Sequence, residues 1–263
     1  MDLLDNPLVW PPIELEVAAY RSYFRGLALN AGSGNRSLKV GRVDLNLDVE
    51  VSNRPHVVAD LHQIPLRDES VDTILSVAVL EHTRRAWEVT AEFLRVLRPG
   101  GHAVVAIPFL QPQHACPHDY VRFTEAGLRE LMLSAGFEVI QTAPVHHFGQ
   151  TLAWLLWEYY KENPPSRWLR PGLGWLLRQM SLGRIFRGRC QNAHNTFYVV
   201  GRKPGQWCEQ VLPDPELPGW FHELLVCPRS RRPLHLREGE LRTSDDQIRY
   251  RLSDGSAHLL EPI

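Results

Sequence analysis

Seven short apolar runs punctuate the first 203 residues: 27–30, 40–45 (VGRVDL), 57–60 (VVAD), 73–79 (TILSVAV), 102–108 (HAVVAIP), 137–143 (FEVIQTA) and 196–201 (TFYVVG). Their length and their valine and isoleucine content read as strands. Helical patterns fall between them, at 84–97, closed by Pro99-Gly100-Gly101, and at 124–135, opened by Thr124 and closed by Gly136. Another helix is predicted over 12–25, behind Pro11 and Pro12. Strands interleaved with helices fit an α/β fold, a mostly parallel sheet with helices on both faces.

Composition narrows the setting. The formal charge is -1 over 263 residues, so there is no global attraction to nucleic acid or to an anionic membrane. The first thirty residues lack the basic and apolar regions of a signal peptide, and no run is long and uncharged enough to predict a membrane span. A cytoplasmic protein is the expectation. Cys116, Cys190, Cys208 and Cys227 form no CxxC pair, so neither a closed structural metal site nor a disulfide framework is expected.

The stretch LALNAGSGN at 27–35 combines the first strand with a glycine-rich turn, and a helix is expected to follow. Gly32 and Gly34 permit tight dihedrals and close backbone approach to a ligand. AGSGN is not the full GxGxxG of a dinucleotide site. Asp44 is read as closing the second strand and Asp60 the third. An acidic residue after the second strand suits the hydroxyls of a ribose.

These pieces in this order resemble the class I S-adenosylmethionine-dependent methyltransferases of the small "type 11" kind. LNAGSGN (29–35), VDLN (43–46), ADLHQIPLRDESVDTILSVAVLEH (59–82) and LRVLRPGGHAVVAIP (94–108) carry the likeness, and HNTFYVVGRK (194–203) stands where that family places its last, antiparallel strand. The resemblance implies a Rossmann-like fold and S-adenosylmethionine as cofactor. Gly32, Ser33 and Gly34 would approach its methionine part, Asp44 and Leu45 its ribose, Asp60 and Leu61 its adenine. Val79, Glu81 and His82 would lie beneath the sulfonium, His82 as a base, an orienter or a packing residue. Asn30 departs from the family, which usually has Asp or Glu there, and weaker cofactor binding is expected.

The loop PFLQPQHACPHDYVRFT (108–124) follows the fifth strand and is expected on the cofactor's side of the sheet. His114, His118 and Asp119 are its candidates for proton transfer from an acceptor, with His114 and His118 meeting across a turn. Tyr120 and Arg122 are candidates for acceptor binding, Arg122 alternatively for fixing the loop. Two histidines and an aspartate lack diagnostic metal spacing, so no metal is expected. An insertion at 144–190 reads as a helical hairpin with Trp154, Trp157, Trp168 and Trp175 and seven Lys or Arg against one Glu from Lys161 to Arg189. It suits a lid contributing Trp154 and Trp157 to the acceptor, a homodimer or lipid face, or plain core closure.

A methyltransferase domain over 1–203, a proline-rich linker over 204–218 and a small β-rich domain over 219–263 are expected. The tail resembles the small Trm112-like zinc-ribbon family through LLVCPRSRRPL (224–234) and YRLSDGSAHLL (250–260). Only Cys227 stands at that family's ligand positions, with Ser230 and Thr243 near others. Without zinc, such a short segment needs the main domain or another subunit to pack on, through Leu224, Leu225, Leu234, Leu259 and Leu260. The overall expectation is methyl transfer to a small or medium-sized acceptor, glycan-like, lipid-linked or a secondary metabolite. RNA or protein methylation and a non-catalytic binding or assembly role are the alternatives.

Overall fold

A computed structural model of the protein describes residues 6–36, 38–114, 117–186, 190, 193–217 and 219–263. Strands β1 (Leu27–Ala31), β2 (Val43–Asp48), β3 (Val57–Val58), β4 (Val71–Val77), β5 (Leu97–Pro108), β6 (Glu138–Val145) and β7 (Thr196–Arg202) form the main sheet. β8 (Leu234–Arg237), β9 (Glu240–Thr243), β10 (Arg249–Ser253) and β11 (Ser256–His258) extend it. The strand order is β6-β7-β5-β4-β1-β2-β3-β11-β10-β9-β8. β5, β4, β1, β2 and β3 run parallel, and β7 lies antiparallel between β5 and β6.

Side chains alternate across this sheet as the pleat requires. Leu27, Leu29, Ile74, Ala103, Val105, Phe197 and Val199 face one core, shared with Phe93 and Val96 of α2 (Ala86–Val96) and Leu128 and Met132 of α3 (Glu125–Ala135). Thr124 caps α3 through its hydroxyl, which accepts the Gly127 N–H, and Gly136 ends it at a positive φ. Leu75, Val104, Ala106, Tyr198 and Val200 face the other core. That face is covered by α1 (Ile13–Ala18), by a 3₁₀ turn at Arg21–Tyr23 and by Leu38 and Val40. The helix predicted over 12–25 therefore stops at Ala18. Its apolar residues lie on the sheet only if the chain tightens there, which stacks Tyr20 on Tyr198 with ring centroids 4.7 Å apart.

Two further expectations fail in the β1–β2 connection. No helix follows the glycine-rich turn among the described residues, because the link from Gly32 to Arg42 is too short for a helical crossover. The second strand starts at Val43, not at residue 40. Asp44 is thus near its amino end, where its Oδ1 accepts the N–H groups of Val40 and Gly41, both at 3.0 Å.

α4 (Phe148–Glu162) and α5 (Arg170–Ser181) form the predicted hairpin, packed through Ala153, Leu177 and Met180. Trp154 and Trp157 are half-buried, whereas Trp168 and Trp175 are exposed. The tryptophans therefore do not all close the core. Arg187 and Arg189 lie outside the described residues, as do Cys116 and Pro218.

The tail continues the sheet. β11 pairs in parallel with β3, through Ala257↔Val57 and His258↔Val58. Phe221, Leu225, Cys227, Leu234, Leu241, Tyr250 and Leu259 belong to the same apolar cluster as Leu66 and Ile64. Leu260 is 41% exposed and adds nothing to that contact, contrary to expectation. Cys227 accepts the Ser230 N–H at 3.4 Å and lies 3.3 Å from the Tyr250 hydroxyl.

Burial holds several histidines neutral. His102 on β5 is 6% exposed, its Nδ1 has no hydrogen-bond partner among the described residues, and Arg25 and Arg202 add repulsion. Its pKa falls to about 4. The unfolded chain therefore takes up a proton that the folded chain refuses. The stability contribution is complete above about pH 6.5 and falls as pH drops, by about 3 kcal/mol at pH 4. His102→Gln should flatten the fall in urea midpoint between pH 7.5 and 5. An unchanged pH profile would show that His102 is not the group responsible.

Candidate functional site

The carboxyl ends of the parallel strands, where open α/β sheets place their ligands, converge at one edge. β1 ends in the glycine turn. Gly32 has φ +72, and a Cβ there would come within 2.6 Å of both Val79 methyl groups, so only glycine fits between β1 and the end of β4. Gly34 also has a positive φ, but the space beside it is open except for Arg36. Asn30 is 3% exposed. Its Nδ2 donates to the Asn46 Oδ1 at 2.7 Å and to the Leu38 carbonyl at 3.0 Å, whereas its Oδ1 has no hydrogen-bond partner among the described residues. Asn30, Gly32, Ser33, Arg36 and Val77 line one small cleft.

The carboxylate at the carboxyl end of β2 is Asp48, which the sequence reading missed. Its Oδ2 accepts the Gly34 N–H at 2.7 Å and its Oδ1 accepts the Glu50 N–H at 2.8 Å. Asp44 and Leu45 do not reach this edge: Asp44 pairs with Ala28 early in the strand, and Leu45 is fully buried in the core. The physical reason is register. Val43, Leu45 and Leu47 must share the apolar face, which carries the strand on to residue 48. Asp60 does follow β3, where it caps a 3₁₀ turn by accepting the His62 N–H at 2.9 Å. Leu61 beside it is buried.

A second cavity of about 330 Å³ opens beyond the ends of β4 and β5, bounded by Arg36, Val77, Ala78 and Pro108, and walled by Trp10 and Trp154. Its polar residues form a chain. The Glu16 Oε1 lies 2.9 Å from the His146 Nε2, and the His146 Nδ1 lies 3.0 Å from the Asn195 Oδ1. The Tyr198 hydroxyl donates to the other Glu16 oxygen at 3.4 Å. Burial together with Glu16 pushes the Tyr198 phenol above its ordinary range, so it stays protonated. His146 has φ +68, an unfavoured backbone for histidine, which presents its ring to the cavity. These residues come from α1, the end of β6 and the start of β7, so no local motif announces them.

The loop after β5 is only partly where it was expected. His114 lines the cavity. Its Nε2 lies 3.6 Å from the Glu81 Oε1, and the His82 Nε2 lies 3.7 Å from the same atom. Those contacts are too long for hydrogen bonds. The nearby carboxylate nonetheless raises the His114 pKa above the ordinary histidine range, against its burial. His118 does not meet His114; its ring is exposed, and its main-chain carbonyl faces the His82 Nδ1 at 2.6 Å. Asp119 is spoken for by Arg122 and by the His114 N–H. Burial pushes its carboxyl up, but these partners outweigh it and hold the group below its usual range. Of the two roles open to Arg122, the structure shows the clamp on the loop. Tyr120 turns outward, its hydroxyl accepting from the Arg84 Nε at 3.1 Å. Trp157 packs within the helical hairpin with Lys161 over its ring, away from the cavity that Trp154 walls.

Residues 35–105 match a family described as "Methyltransferase domain". Over these residues the chain carries the sequence of a methyltransferase domain of the S-adenosylmethionine-dependent kind. A probable S-adenosylmethionine-dependent methyltransferase of Mycolicibacterium smegmatis is 34% identical to it over 124 residues, 41% of this chain and 48% of that protein. An uncharacterized methyltransferase of Mycobacterium ulcerans is 56% identical over 43 residues, 16% of this chain and 17% of the other. The match thus spans at most about half the length of these relatives. Among solved structures, the [4+2]-cyclase SpnF superposes with a TM-score of 0.49 at 15% identity, over 73% of this chain and 82% of that one. The complex of the Haloferax volcanii Trm112 methyltransferase activator with its methyltransferase gives 0.47 at 20% identity, over 68% and 83%. The matched residues start just after the glycine turn and end within β5, so they include Asp48 and Asp60 but not Asn30, Gly32 or Ser33 of the small cleft.

Proposed function

We propose that the protein transfers the methyl group of S-adenosylmethionine to a small or medium-sized acceptor bound in the cavity between Arg36, Trp154 and His146. The observation that carries this reading is the adjacency of two differently built sites at one sheet edge. The small cleft would receive only the donor's amino-acid end: the Asn30 Oδ1, without a partner among the described residues, can accept from an ammonium group, and the space beside Gly34 is open for the rest. Asp48 would hold the ribose hydroxyls and Asp60 the adenine amine. When bound, the donor supplies an activated, positively charged methyl group.

The chain's own work is then alignment and proton removal. The aromatic walls Trp10 and Trp154 shape a cavity sized for a small molecule and exclude water from it. An acceptor hydroxyl or amine must shed a proton as it is methylated. The Glu16 carboxylate, which lines that cavity, is placed to take it, while His146, whose two ring nitrogens face the Glu16 and Asn195 oxygens, orients that carboxylate. Calorimetry with S-adenosylmethionine and S-adenosylhomocysteine, followed by transfer of a labelled methyl group to a panel of hydroxylated and amine compounds, tests the reading. Micromolar donor binding and turnover that falls by about 10²–10⁴-fold in Glu16→Gln, with donor affinity retained, is the expected result. A folded protein that binds no donor overturns it; donor binding without turnover on any acceptor favours a non-catalytic binding role instead.

A further inference from the structure

Glu81 is fully buried, and neither of its carboxylate oxygens has a hydrogen-bond partner among the described residues. A bare buried carboxylate is expensive unless a cation accompanies it. Two imidazoles face it, from His82 on the same turn and from His114 on the loop after β5, with their rings nearly perpendicular and centroids 5.2 Å apart. Ligand atoms from the three residues all lie within 4.8 Å of one another.

The outer nitrogens of the two rings are what make this more than an ion pair. The His82 Nδ1 is 2.6 Å from the His118 carbonyl oxygen, and the His114 Nδ1 is 3.3 Å from the Pro112 carbonyl oxygen. Each carbonyl takes the Nδ1 proton, which leaves each Nε2 lone pair directed at Glu81. That is the arrangement in which histidines ligate metals, with the far nitrogen donating to a backbone carbonyl. The Arg122 Nη2, also near the His114 Nδ1 at 3.4 Å, already donates to Asp119, so the Pro112 carbonyl is the partner that sets the His114 tautomer.

We infer that Glu81, His82 and His114 bind a divalent transition-metal ion beside the acceptor cavity. Two histidines and one carboxylate are the ligand set of catalytic zinc and of non-haem iron sites that keep an open position. Bonds of about 2.0–2.2 Å around a tetrahedral ion separate neighbouring ligand atoms by roughly 3.3 Å, so the 3.6 and 3.7 Å separations need to close only slightly. His114 lines the cavity, so an oxygen donor of the acceptor can take the open position, where the ion would lower the pKa of a hydroxyl. That role rests on the methyl-transfer reading, but the binding does not.

The test contains neither donor nor acceptor. The full-length protein, stripped with a chelator and dialysed, is titrated with Zn²⁺ by calorimetry and with Co²⁺ by visible absorption. One equivalent should bind, Co²⁺ should develop the d–d bands of a four- or five-coordinate site, and Glu81→Gln and His114→Gln should each weaken binding at least about tenfold. His118→Ala, which keeps the carbonyl that orients His82, should bind as wild type does. If Glu81→Gln fails to fold, His114→Gln, on a half-buried loop, carries the comparison. Absence of stoichiometric binding in the folded wild type, or binding that neither variant weakens, overturns the site.

Discussion

Asp48→Asn will weaken S-adenosylmethionine binding by roughly 30- to 300-fold, whereas Asp44→Ala will leave it within about twofold. A carboxylate hydrogen bond to a hydroxyl contributes about 1.5–3 kcal/mol, and a ribose offers two hydroxyls. Asparagine keeps one oxygen, so the Gly34 N–H can retain its acceptor while the Glu50 N–H loses one, a smaller change than removing the side chain. Asp44 is at the other end of the strand, and its loss leaves the Val40 and Gly41 N–H groups without their acceptor. Its effect is on stability, by about 1–3 kcal/mol. Calorimetry and urea unfolding on both variants separate the two roles. Binding lost in Asp44→Ala and kept in Asp48→Asn would mean that the register of β2 is other than described here.

A chain cut after Lys203 should show no cooperative unfolding transition, because the tail completes the core. Without it, Leu66, Ile64, Val57 and Val58 lose their cover, and β3 becomes an open edge able to pair with other chains. Polar contacts are lost with it: Arg231 donates to the Ile64 carbonyl at 2.8 Å and to the Glu92 carboxylate at 2.9 Å. A gentler version is Leu225→Ala. Leu225 is fully buried and bridges to Leu66. Truncation there should cost about 2–5 kcal/mol and lower the Tm by roughly 5–15 °C. Leu260→Ala, at an exposed position, should leave the Tm unchanged. If 1–203 alone melted cooperatively at the full chain's temperature, the tail would be an independent appendage.

Much of the sheet was legible because its signals are local. β1, β4, β5 and β7 are buried on both faces, so they show as mainly apolar runs, and α3 carries its own start and stop in Thr124 and Gly136. The glycine turn was legible for the same reason. The second strand misled, since VGRVDL and VDLNLD are both plausible strands, and only the demand that Val43, Leu45 and Leu47 share one face chooses between them. That choice moved the carboxylate at the sheet edge from Asp44 to Asp48. The loop 108–124 was rightly placed beyond β5, but its histidine partner is His82 and not His118, a pairing that sequence distance conceals.

The sequence by itself determined the α/β order of the main sheet and the glycine-rich turn after its first strand. Each of these follows from the chemistry of neighbouring residues in the chain. Only the tertiary structure decided which polar groups share a site. Glu16 on α1, His146 after β6 and Asn195 before β7 are distant in sequence and carry no common spacing, and only the packing leaves the Glu81 carboxylate without a hydrogen-bond partner among the described residues. Burial and partner are properties of a residue's surroundings, and those surroundings come from strands and loops brought together only when the sheet closes.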